Sequence, residues 1–182
     1  MDKLRLLFIA GPATWFGLKY FALGTWTWEN PTKFGILLNL GFITLIAALA
    51  AHQAHGEKTG DFIERWKHAS RKTLSYALVL PFLLGAWYYG LASDALDNRV
   101  ALKKEQATEQ IMNDDSFAQL VASSSPQLLD ADRSEIVERQ HANIEVFFSP
   151  VFYIGMATLA WSFIGLIVSA IFAFIWPKIW SA

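Results

Sequence analysis

The sequence predicts an all-α membrane protein with four transmembrane helices and an extramembrane helical hairpin between the third and the fourth. Two observations carry that prediction. The 182-residue chain has 15 basic and 16 acidic residues, yet the stretches 6–28, 34–56, 73–93 and 146–177 hold only Lys19 among them. A helix of a water-soluble protein needs a polar face and shows charges every few residues. These stretches do not, and each can cross a hydrocarbon core of roughly 30 Å at about 1.5 Å per residue. The second observation is the abrupt change over 93–145, where eleven acidic and five basic residues gather. An aromatic content of 15% excludes a disordered chain, and a formal net charge of −1 argues against a nucleic-acid binder. Cysteine is absent, which rules out disulfides, thiolate nucleophiles, iron–sulfur clusters and Cys-based zinc sites.

The first span runs over about 4–23. Its opening Lys3 and Arg5 before an apolar run also resemble a signal peptide, with Ala22-Leu23-Gly24 as the cleavage site, but the segment is read as a retained anchor. Gly11-Pro12 should kink it, and Lys19 lies close enough to the far end to snorkel to the interface. The second span, 34–51, follows Pro31 in a short turn. The third, 74–91, carries Pro81, which neighbouring helices can accommodate in a membrane. The fourth lies within 146–182, from Pro150 to Trp176, long enough to tilt or protrude.

Orientation follows from Lys and Arg. The stretch 52–73 reads as a basic cytoplasmic loop with Lys58, Arg65, Lys67, Arg71 and Lys72, which carries both termini to the cytoplasm and 93–145 to the other side. Trp26 and Trp28 then form an outer aromatic belt, and Trp66, Trp176 and Trp180 an inner one. Within 93–145 the pattern predicts helix over 95–112. A short helical turn follows around 117–121, capped by Asp114-Asp115-Ser116. Ser123-Ser124-Ser125-Pro126 is a breaker, and a last helix runs from Arg133 to about Phe148 with Asp132 and Glu135 in capping-box spacing.

The most informative pattern is in the fourth span. Gly155, Thr158, Ser162, Gly165, Ser169 and Phe172 recur at alternating spacings of three and four, and Gly165, Ser169 and Ala173 also form a row at intervals of four. Small residues let membrane helices approach closely, so a packing seam with another span or subunit is expected. Asn39 is the one amide deep in a span, and with Lys19 it is the candidate intramembrane polar group. His52 and His55, and Glu138 with His141, have ligand-like spacing. A di-iron bundle needs two E-x-x-H motifs and two further glutamates, so these are read as solvated helix faces with no metal bound.

The layout resembles a Bacteroidota-type family of bacterial four-span inner-membrane proteins, classed as a domain of unknown function. The shared features are a basic segment after the second span, the aromatic run Trp87-Tyr88-Tyr89 ending the third, a Glu-rich helical segment, and a last span started by Pro150. Asp94-Ala95 stands where many members have Asp-Pro. The resemblance implies four spans in the inner membrane and brings no catalytic residues. The expectation is a non-catalytic accessory or structural subunit of a larger inner-membrane complex, without cofactor or nucleic acid, in contact with lipid and with other subunits or itself. One alternative is a small oligomeric transporter or channel with Asn39 lining a pore. The second is a membrane-embedded enzyme with a metal on His52, His55, Glu138 or His141.

Overall fold

The computed structural model describes residues 3–22, 29–56, 61–124 and 132–180. Leu23, Gly24, Trp26, Trp28, Lys58, Ser125 and Pro126, which enter the expectations above, lie outside the described residues. The described residues are all-helical, without strands. The helices are α1 (Lys3–Ala22), α2 (Glu29–Gly56), α3 (Phe62–Ala86), α4 (Ser93–Met112), α5 (Asp114–Ser124), α6 (Arg133–Phe147) and α7 (Pro150–Trp180), with a π-helical turn at Trp87–Leu91. Three segments are long and apolar enough to cross a membrane: Thr32–Ala54, Phe62–Leu91 and Pro150–Lys178. The first helix carries Lys3, Arg5 and Lys19 within 20 residues and is not among them.

Several boundaries differ from the sequence reading for local reasons. Pro31 is inside the first turn of α2 rather than in a turn before it. There it costs no bond, because the first four N–H groups of a helix have no intrahelical acceptor. The stretch 52–73 is mostly helix: α2 runs to Gly56, and α3 starts after Asp61, whose extended backbone (φ −103°, ψ 149°) ends the connection. Lys and Arg are good helix formers, so cations exclude a segment from lipid without excluding it from helix. The cap of α5 is Asn113, one residue earlier than expected, its Oδ1 accepting from the Ser116 N–H at 3.0 Å. Asp132 caps α6 as expected, through the Ser134 N–H at 3.0 Å, while Glu135 accepts from Arg139 at 3.2 Å. Phe148 and Ser149 separate α6 from α7, and Pro150 is the first residue of α7, where its missing donor is harmless.

The chain divides into two compact units, Met1–Trp87 with Ile154–Ala182, and Tyr88–Tyr153. In the first, α3 packs mainly on α2 and α1 on α2. Its burial is inverted relative to a water-soluble domain. Lys19, Asn39, Ser70, Thr73 and Ser169 are buried, while Ile9, Phe21, Leu37, Phe82, Leu159 and Phe163 are exposed. Exposed apolar surface on this scale fits lipid as the solvent. In the second unit α4 packs on α6 and α5. Ile111 and Phe117 form a small buried cluster with Ile136 and Val137 against it.

Candidate functional site

Three of the buried polar side chains of the first unit, Asn39, Thr73 and Ser169, take part in two interhelical clusters. In the first, the Asn39 Nδ2 on α2 donates to the Gly35 carbonyl at 2.9 Å, and its Oδ1 accepts from the Tyr76 hydroxyl on α3 at 3.0 Å. Asn39 is 1% exposed, so both ends of the amide are occupied inside the protein. Gly11 of α1 allows this approach: a Cβ there would stand 2.5 Å from the Tyr76 hydroxyl. Gly35 does the same for Trp15, whose Nε1 would be 2.6 Å from an added Cβ. Gly11 and Gly35 thus seat two aromatic side chains, and α1 closes on α2 and α3 along its buried row Leu4, Gly11, Trp15 and Lys19. Lys19 is buried with its Nζ 5.5 Å from the centre of the Trp15 ring, close enough for cation–π attraction.

The second cluster joins α3 to α7. The Thr73 and Ser169 hydroxyls are 2.7 Å apart, and Ser169 donates to the Gly165 carbonyl at 2.7 Å. Thr73 also reaches the Gly165 carbonyl at 3.3 Å. With the Ser169 proton on Gly165, the Thr73 proton is directed to the Ser169 oxygen, and every group is satisfied. The Trp66 Nε1 donates to the Leu166 carbonyl and the Arg65 Nε to the Ala173 carbonyl, each at 3.3 Å. Two α3 side chains therefore reach the α7 backbone directly. This contact also shows which reading of the small-residue pattern the fold uses here. The row at intervals of four, Gly165, Ser169 and Ala173, is buried and continues back to Trp161. Of the other seam members, Thr158 donates to its own helix at Ile154 (2.7 Å), Ser162 is half-buried, and Gly155 is exposed, with no described atom within 4 Å of a Cβ built on it.

The remaining candidates do not converge. His52 is exposed, with its ring 5.8 Å from that of Trp176, and the His55 side chain lies outside the described residues. His141 turns onto α4, its Nε2 2.9 Å from the Thr108 hydroxyl and 3.1 Å from the Lys104 carbonyl, whereas Glu138 is exposed. Among the described residues no group of three His, Asp or Glu side chains is arranged to hold a metal. The polar contacts of the second unit hold it together: Lys104 pairs with Glu145, and Arg133 pairs with Asp114 at 2.7 Å while covering the Phe117 ring. Lys104 holds the Glu145 carboxyl below its ordinary value, and the bond from the Ser134 backbone does the same for Asp132.

Sequence reasoning missed Thr73, Tyr76, Trp15, Arg65 and Trp66 as packing groups. Thr73 and Tyr76 lie three apart on one helix face, which was the available signal; the rest owe their role to helices far away in the chain. No family model, curated protein or solved structure matches the chain.

Proposed function

We propose that the protein is a non-catalytic accessory or structural subunit of a larger bacterial inner-membrane complex, and that it crosses the membrane four times with both termini in the cytoplasm. One observation carries this reading: the buried Asn39, Thr73 and Ser169 side chains, which could serve transport or chemistry, are engaged in helix packing. Asn39 is occupied by Tyr76 and Gly35, and Thr73 by Ser169 and Gly165. The outward apolar side chains of α1, among them Leu6, Ile9 and Phe21, support it as a span beside the three longer ones, with Lys19 turned inward.

The partner is another membrane protein that meets α7 and carries a cationic extramembrane face. In α7, 22% of the spanning window is buried, against 39% in α2 and 44% in α3, which leaves Gly155 and its surroundings free for a second helix. The acidic excess of 93–145, with the exposed carboxylates Glu135, Glu138 and Glu145 on α6, supplies the complementary charge. Photo-crosslinking tests this directly. With p-benzoylphenylalanine at Gly155 or Glu138, irradiation of native membranes should give an adduct with a different polypeptide. Absence of an adduct at both positions contradicts the proposal.

A further inference from the structure

The outward flank of α3 has a polarity pattern that helix packing does not use. Lys67, Arg71, Ser75, Leu78, Phe82 and Ala86 follow one another at intervals of three or four, so they form one stripe, and all are exposed. The stripe changes character along its length. At its start Lys67, His68, Arg71 and Lys72 line a cleft of about 250 Å³. One to three turns further on, Leu78, Val79 and Phe82 are 48%, 52% and 63% exposed. Three cations around one cleft suit an anionic oxygen. Glu64 stands one turn before Lys67 on the same flank and leaves the cluster with an excess of positive charge.

We infer that this flank binds an anionic phospholipid. The headgroup phosphate lies in the cleft on Lys67, Arg71 and Lys72, and an acyl chain runs along Leu78, Val79 and Phe82. A free phosphate shares the cation chemistry but has no use for the apolar part of the stripe. The lengths agree with a lipid: from Arg71 to Phe82 the helix rises about 16 Å, close to half of a hydrocarbon core of roughly 30 Å. Basic pockets at the membrane surface recognise anionic headgroups in this way. The inference rests on α3 crossing the bilayer.

The test is native mass spectrometry of the full chain purified in mild detergent and exposed to phosphatidylglycerol, phosphatidylcholine or inorganic phosphate. Phosphatidylglycerol should be retained in preference to phosphatidylcholine and should not be displaced by inorganic phosphate. At roughly fivefold per cation, R71Q/K72Q should weaken retention by about thirtyfold, and K67Q by about fivefold. K103Q, which removes a charge from the second unit, should leave retention unchanged. Both sets of cations are on helix surfaces, and circular dichroism of each variant checks that helicity is kept. Equal retention of the two lipids, unchanged retention in R71Q/K72Q and K67Q, or displacement by inorganic phosphate overturns the inference. Recovery of the chain in detergent-free buffer overturns instead the membrane placement beneath it.

Discussion

Asn39 occupies both ends of its amide within the bundle, and the bond it accepts comes from a tyrosine 37 residues away on another helix. In lipid the unfolded chain also finds partners for such groups, so an interhelical bond contributes about 0.6 kcal/mol on average and at most about 1.7. A double-mutant cycle of Asn39→Leu and Tyr76→Phe, read by thermal unfolding in detergent, should give a coupling energy in that range. A coupling of zero would mean that the two side chains merely lie close together. Asn39 could be singled out from the sequence because an amide deep in an apolar stretch has few explanations. Tyr76 could not, because aromatic residues are common in membrane spans. Ser169 likewise stood out within its row of small residues, but its partner Thr73 is 96 positions away, a distance at which periodicity carries no information.

Among the elements, the second, third and fourth expected spans were the best defined in advance, since a long run without charge marks a helix able to cross a membrane. Their ends were less well defined. The sequence contrast marks where charge begins, and Arg65, Lys67, Arg71 and Lys72 continue as helix beyond that point. The same ambiguity hid the stripe on α3, since its cations were counted for orientation before the helix beneath them was known. The pairing of α4 with α6 depends on tertiary contacts such as Lys104 with Glu145 and Thr108 with His141. Its pH response follows from the carboxylates. The folded-state values of Glu145 and Asp132 lie below their ordinary 4.5 and 3.8. The stabilisation is therefore present above those ordinary values and is lost as pH falls through the lowered ones. Helix loss on heating, followed by far-UV ellipticity, should come earlier at about pH 3 than at about pH 7. In Glu145→Gln the difference between the two conditions should shrink; an unchanged difference would show that the Lys104 pair contributes nothing to it.

At the scale of the whole molecule, the uneven distribution of charge marked the helices able to cross a membrane among the described residues, and the all-helical class followed from it. What the sequence could not convey is the use of the polar residues inside the spans, because a buried Asn or Thr reads the same whether it lines a passage or joins two helices. The geometry favours joining, which agrees with the subunit role proposed above. The central claim is therefore that the chain belongs to an assembly with other polypeptides. It is tested most directly by the native mass of the particle released from its own membranes in a gentle detergent. The account predicts a particle in which the 20.5 kDa chain is accompanied by at least one different membrane protein in fixed proportion. A particle containing this chain alone, whether as a monomer or as copies of itself, would contradict it.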